Sequence, residues 1–336
     1  MLKRRVLQAI FTLGRRMNIS VIEKTTTRRF RYRDETNPLC PKGVIGGGLA
    51  FLGIFGFGKE DEELEPELIT TIKRSILLIQ RGEYKKAEQM LHVALHQAQT
   101  LQHYDGITYV YDVLANLAFE VGDVEKSKKL FVSVMQRLMS TGTAEGDMKM
   151  IHISLKLARL YEISGDPGKA ENGYAFCLKH VLEQAKTSPE DEDVLLLWGM
   201  TLDWYGKFLL SQSRLPEALK CYQQAHKLCQ QVHGDEHEQT VVLLNDLGTV
   251  YCLLGEYEKA LGHLSDAILI GEKLPEMSDL SSIHVNIGNV YLKRSLYNEA
   301  RDACTVGLKL AKKNNDIECQ EQANACLAEV KKLLSQ

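Results

Sequence analysis

Apolar side chains beyond Pro66 return at helical spacing in block after block, each closed by a small residue and a short polar stretch. In "VVLLNDLGTVYCLLGEYEKAL", which starts at Val241, Gly248 interrupts one such block. Glycine in a helix interior costs about 1 kcal/mol relative to alanine, so a packing requirement must outweigh that loss. Seven residues later comes Gly255, then Ala260, Leu264 and Ala267, and the same register recurs elsewhere. Upstream it reads Gly206, Ser213, Ala218, Tyr222, Ala225; Ala158, Gly165, Ala170, Tyr174, Cys177; Ala115, Gly122, Ser127, Phe131, Val134; and, most weakly, Ser75, Gly82, Ala87, Leu91, Ala94. Downstream it reads Gly288, Ser295, Ala300, Cys304, Gly307.

Six copies of this pattern predict six pairs of antiparallel helices. The column Gly82, Gly122, Gly165, Ser213, Gly255, Ser295 stands where the first helix of each pair must stop and reverse. The column Ala115, Ala158, Gly206, Gly248, Gly288 is read as small-residue packing that lets paired helices approach closely. After the last copy, "DIECQEQANACLAEVKKLL" sets Ala323, Leu327, Val330 and Leu334 on one face, as a helix capping the open end of a stack would.

The register resembles the tetratricopeptide repeat, with Tyr161, Tyr251 and Tyr291 three residues after the small site and Leu114, Leu157 and Leu247 just before it. That resemblance implies an all-α, right-handed α-solenoid of about six extended helix-turn-helix repeats over residues 67–315, with a capping helix at 316–336. Intervals between copies are 40, 43, 48, 42 and 40 residues, against the usual 34. Longer helices and loops, notably at "STGTAEGD" from Ser140 and "QAKTSPEDED" from Gln184, are expected to absorb the excess. Lengthened repeats, and "HGDEHEQT" before the fifth copy, are similar to kinesin light chains.

Charge divides the chain at its start. Residues 1–42 carry 11 Lys and Arg against three acids, a surplus of +8 that leaves −11 for the rest of a chain whose net charge is −3. With Leu2, Val6, Ile10 and Leu13 near one helical face among arginines, 1–42 reads as a cleaved mitochondrial targeting peptide, with "RRFRY" near Arg28 a candidate processing site. Residues 43–58, "GVIGGGLAFLGIFGFG", contain no charge and read as a short transmembrane or sorting segment; 59–66 read as an acidic linker. Basic residues before and acidic residues after that segment would leave the repeats facing the intermembrane space. A net charge of −3 argues against nucleic acid as a partner of the chain as a whole.

The motifs of catalysis are missing: no GxSxG, Walker loop, dinucleotide fingerprint, HExxH or CxxC occurs. His92 and His96 share a helix face without a third ligand, and His233, Asp235, Glu236 and His237 coincide with a helix start. The eight cysteines are expected to be reduced, most of them as small core residues. Catalytic residues, metal and cofactors are therefore assigned as none. First-helix positions three before and one after the small site are candidates for a peptide-binding groove: Asp112, Asn116, Arg159, Asp203, Lys207, Asn245, Thr249 and Asn289, joined by Tyr109 and His152. Asparagine suits that role because its amide can donate to and accept from a bound backbone.

Four segments, "GITYVYDVLANLAFEVGD", "IHISLKLARLYEISGD", "GYAFCL" and "LLLWGMTLDWYGKFLL", resemble a mitochondrial branch of the tetratricopeptide family. The resemblance implies an inner-membrane scaffold that binds respiratory complex III (cytochrome bc1) and helps clear N-terminal fragments of the Rieske iron–sulfur protein, with a mitochondrial protease as a further partner. The alternative is a cytosolic cargo or trafficking adaptor like kinesin light chain.

Overall fold

The computed structural model describes residues 66–275 and 277–335. The targeting, apolar and acidic-linker readings of 1–65 lie outside the described residues. Thirteen helices and no strand occur among the described residues. They are α1 (Pro66–Gln80), α2 (Tyr84–Thr100), α3 (Tyr104–Glu120), α4 (Val124–Ser140), α5 (Met148–Ile163), α6 (Pro167–Thr187) and α7 (Glu192–Ser211), followed by α8 (Leu215–His233), α9 (Glu238–Leu253), α10 (Tyr257–Gly271), α11 (Leu280–Lys293), α12 (Tyr297–Lys313) and α13 (Ile317–Leu334). Consecutive helices pair as six hairpins, and α13 closes the series: an all-α fold of the tetratricopeptide class. The chain divides into two compact units within α7, the first running to Thr201 and the second starting at Leu202.

Each hairpin turn has the same cause. Gly82, Gly122, Gly165 and Gly255 hold φ of 72°, 79°, 75° and 80°, a region open to glycine and strained for residues with a Cβ. At the first of these turns the Gly82 N–H donates to the Ile79 carbonyl and the Glu83 N–H reaches back to Leu78. This pair of hydrogen bonds satisfies carbonyls that the helix end would otherwise leave open. Ser213 and Ser295 hold φ 60° in the same position with the same bonding, Arg214 to Leu209 and Leu296 to Tyr291. In two of the hairpins the next helix starts on a side-chain cap: the Asp123 carboxylate accepts from the Lys126 N–H at 3.1 Å and Asp166 from Lys169 at 3.1 Å. A Cβ at Gly122 would meet nothing within 4 Å. Gly122→Ala is therefore expected to cost about 1 kcal/mol through backbone strain alone, read as a lower urea midpoint with an unchanged slope.

Inside the first unit, Leu68, Ile72, Leu91 and Val110 form the buried seam of the first hairpin with the third helix, while Phe131, Leu138, Met150 and Ile153 fill the next. Where large side chains are missing, backbones come together. A Cβ on Gly173 would stand 2.8 Å from the Ala158 Cβ, and the Ser127 hydroxyl donates to the Ala115 carbonyl across the α3–α4 pair at 3.0 Å.

In the second unit a Cβ on Gly206 would lie 3.1 Å from the ring of Tyr222. On Gly248 it would lie 2.5 Å from Leu264 Cγ and 3.2 Å from the Ala260 carbonyl oxygen, and on Gly288 it would strike Cys304.

In the long third-to-fourth interval, 21-residue α6 runs on through Thr187 and 20-residue α7 follows, so lengthened helices take up the excess together with a short connection at residues 188–191. Two expectations need correction. The buried face of α13 is Cys319, Gln322, Ala323, Cys326 and Val330, while Leu334 is exposed. Nor are all the cysteines reduced, since Cys304 of α12 is bonded to Cys326 of α13. The two are 22 residues apart on different helices. Only docking of α13 brings them together, so neither spacing nor motif announces the pair.

Candidate functional site

The polar positions on the first helices of the hairpins gather into one buried seam in each unit. In the first unit, Asp112, Asn116 and Glu120 follow one another at i, i+4, i+8 along α3, and His152 and Lys156 do so on α5. The Lys156 ammonium donates to the Asn116 carbonyl oxygen. The Asn116 amide in turn donates to the Asp112 backbone carbonyl at 2.7 Å and to its carboxylate at 3.1 Å.

Burial dominates the electrostatics here. It raises the Asp112 carboxyl to about 6 against the pull of Lys156 and Lys149, and Glu120 to about 7 against Lys156. Lys156 is brought down to about 8 by burial, opposed by Asp112 and Glu120. Burial, then the Lys156 charge, holds the His152 imidazole well below its ordinary value and so neutral.

In the second unit, Lys207 on α7 donates to Asp203 Oδ2 at 3.0 Å and stands 2.9 Å from its Oδ1. The same ammonium is 3.6 Å from Asp246 Oδ2 on α9. Two buried carboxylates thus share one cation. Burial first, with the Asp203 and Asp279 charges adding and Lys207 opposing, raises Asp246 to about 7. One step further, the Asn286 amide of α11 donates to the Asn245 carbonyl oxygen at 2.8 Å, and the Thr249 hydroxyl donates to the Asn245 backbone carbonyl at 3.0 Å.

Of the ten groove candidates, Asp112, Asn116, His152, Asp203, Lys207, Asn245, Thr249 and Asn289 are buried, and Tyr109 and Arg159 are half-buried. Arg159 forms an ion pair with Glu162 at 2.6 Å, and the same carboxylate accepts from the Tyr174 hydroxyl at 2.8 Å. The amides of Asn116 and Asn245, expected to greet a bound backbone, are engaged within the protein.

What the sequence reading passed over is the column two residues before the small site: Lys156, Asp246 and Asn286. Each meets the preceding hairpin one position after its own small site, at Asn116, Lys207 and Thr249. A polar residue at that place in three copies was the available signal. Chemically, the seams fix the register between successive first helices, because a buried polar group that slides out of register loses its partner and costs roughly 1–3 kcal/mol.

At the start of α9, the cluster around His233 behaves as a helix cap. The His237 Nδ1 accepts from the Gln239 N–H at 3.1 Å, and its ring stacks on His233 at 4.1 Å. Among the described residues no group of three or more His, Cys, Asp or Glu is placed to hold a metal ion, and no helix is long and apolar enough to cross a membrane. Burial raises the thiols of Cys221 and Cys229 to about 11, far from a nucleophile's range.

Known proteins fit this geometry. The profile of the tetratricopeptide repeat family matches residues 199–273. The crystal structure of BtubC (BKLC) from P. vanneervenii superposes with a TM-score of 0.55 at 18% identity, covering 75% of this chain and 94% of that one. RapI in its apo form also gives 0.55 at 18% identity, covering 64% and 74%. Both show the fold alone.

Sequence relatives are nearer. The Drosophila melanogaster protein named "Tetratricopeptide repeat protein 19 homolog, mitochondrial" is 39% identical over 285 residues, 84% of this chain and 77% of that protein. The Homo sapiens protein named "Tetratricopeptide repeat protein 19, mitochondrial" is 32% identical over 292 residues, 83% and 77%. A Rattus norvegicus relative of the same name is 32% identical over 76% of this chain and 72% of its own. With helical hairpins in one register and identity sustained across both units, the chain belongs to the mitochondrial tetratricopeptide repeat protein 19 family.

Proposed function

We propose that this protein is a non-catalytic interaction scaffold of the mitochondrial inner membrane, which binds respiratory complex III and helps clear N-terminal fragments of the Rieske iron–sulfur protein. The observation that carries the reading is 39% identity to a mitochondrial relative over 84% of the chain. Repeat hairpins support the scaffold role, since proteins built from them bind partners through a surface formed by stacked helices. In this reading the buried seams hold the spacing of that surface, and half-buried Tyr109 and Arg159 mark where a partner reaches it. The basic, uncharged and acidic stretches that open the chain support import and anchoring. The Cys304–Cys326 bond supports a compartment that tolerates disulfides, the intermembrane space rather than the reducing matrix. Mitochondrial naming of the relatives speaks against the cytosolic adaptor.

Affinity isolation through a tag after Gln336, from detergent-solubilised mitochondria, is expected to bring down cytochrome bc1 subunits together with short N-terminal Rieske peptides. A repeat protein recovered alone under mild detergent would refute the complex III assignment. Import into isolated mitochondria gives a second readout: the expected product is shortened and protease-protected until the outer membrane is opened.

A further inference from the structure

The last helix is held thinly by its apolar contacts. Of the buried residues on α13, Val330 is the single branched aliphatic; the others are Cys319, Gln322, Ala323 and Cys326. Its partners on α12 are likewise small, Ala300, Cys304 and Ala311; Val285 of α11 is the one branched aliphatic buried against it from the last hairpin, and Tyr291, Leu292, Tyr297 and Leu308 pack at the edges. Compare α4, which seats Phe131, Val134 and Leu138 in its core. A terminal helix also has a neighbour on one side only, so its local unfolding is the least costly in a repeat array.

A covalent bond lies at this weak joint. Cys304 and Cys326 are 0% and 3% exposed, and their Cα atoms are 6.4 Å apart, within the span a disulfide bridges. Cys319, one heptad before Cys326 on α13, is a buried thiol, as are Cys177, Cys221, Cys229 and Cys252. Among the described cysteines oxidation therefore selects one pair. Burial also orders the events: once α13 is docked, side chains 0% and 3% exposed are out of reach of another protein's active site.

We propose that Cys304 and Cys326 form a redox-installed clasp, closed by a thiol–disulfide oxidoreductase while α13 is still undocked, and that closure keeps α13 over the last hairpin. One cysteine thiolate attacks the oxidoreductase disulfide, forming a mixed disulfide and expelling one enzyme thiolate. The second cysteine thiolate then attacks the substrate sulfur of that mixed bond, forming Cys304–Cys326 and releasing the enzyme as a dithiol. Two electrons pass to the enzyme's sulfurs, and the two thiol protons pass through solvent to the released dithiol. Docking of α13 buries the product and shields it from reductants. The clasp stands whether or not complex III is the partner, because it concerns the end of the array and not its docking face.

Two measurements test it on the full chain. Rapid acid quenching of mitochondria, followed by alkylation under denaturing conditions, is expected to leave Cys304 and Cys326 unmodified until reduction. Trypsin should yield DACTVGLK joined to NNDIECQEQANACLAEVK, with the bond on Cys326 and alkylation on Cys319. Both cysteines alkylated without reduction would overturn the proposal.

The second measurement reads the lock. Cys304→Ala/Cys326→Ala keeps small side chains in a small-residue seam, and it should melt roughly 5 °C lower and be cut within α13 at about tenfold lower protease. Wild-type protein refolded with reductant present should match it, whereas Cys319→Ala should stay clasped and protease-resistant. Equal resistance of reduced and oxidised wild-type protein would show that the bond locks nothing and would sink the inference.

Discussion

Gly248→Leu is expected to destabilise the protein by about 3 kcal/mol, a fall of about 10 °C in melting temperature. The reason is local and directional. A Cβ at Gly248 falls 2.5 Å from Leu264 Cγ and 2.8 Å from its Cδ2, and Leu264 is fully buried with no room to withdraw. Behind it lies the Ala260 carbonyl oxygen at 3.2 Å, which is backbone and can yield only if α10 moves as a body. The substitution recovers about 0.8 kcal/mol of helix propensity, so the observed loss is what remains after that gain. Gly262 supplies the control on the same hairpin. It is exposed within α10, a Cβ there would meet nothing within 4 Å, and Gly262→Ala should stabilise by about 0.8 kcal/mol. Chemical denaturation of the three proteins decides the matter: a tolerated leucine at Gly248 would mean that α9 and α10 are not in intimate contact.

The contrast between Gly248 and Gly262 also bears on what the sequence makes legible. Small residues at fixed spacing identify close helix approaches because only they permit them, so the hairpins, their turns and their number are written in Gly82 through Ser295. Turn positions are legible even where serine replaces glycine, since neighbouring apolar columns keep the phase. The polar inner residues were located, but their partners inside the protein were not. Asn116 and Asn245 look like ligand-facing amides in a single hairpin. Their partners, Lys156 and Asn286, come from the next hairpin, about 40 residues away, and pairing depends on how tightly first helices stack. Stacking distance is a tertiary quantity that periodicity does not encode. The clasp escaped for the same reason: Cys304 and Cys326 each occupy an ordinary small-residue site, and only the docking of α13 makes them neighbours.

Lys207→Met should be among the most damaging single changes in the second unit, costing about 3–5 kcal/mol at pH 8. Lys207 is the cation that Asp203 and Asp246 share, at 2.9 Å and 3.6 Å, and methionine keeps its length while removing its charge. Two carboxylates would then face each other in a buried place, with Asp279 adding to the repulsion felt at Asp246. Acid should relieve part of the defect, because Asp246 titrates at about 7 and is uncharged well below that pH. Asp246→Asn isolates this titration. In the folded protein the carboxyl keeps its proton up to about 7, whereas in the unfolded chain it loses it near 3.8. Between those values the folded state binds more protons, so the contribution of Asp246 to stability is present at low pH and disappears as pH rises through the window. The amide has no proton to lose. Asp246→Asn should therefore match the wild type near pH 4 and exceed it by about 4 kcal/mol at pH 8, with Asp203 left to hold Lys207 alone. Urea midpoints of the wild type and both variants at pH 4.5, 6 and 8 provide the check. A stability difference between Asp246→Asn and wild type that does not change with pH would show that Asp246 ionises freely, and that the shared-cation arrangement does not govern this seam.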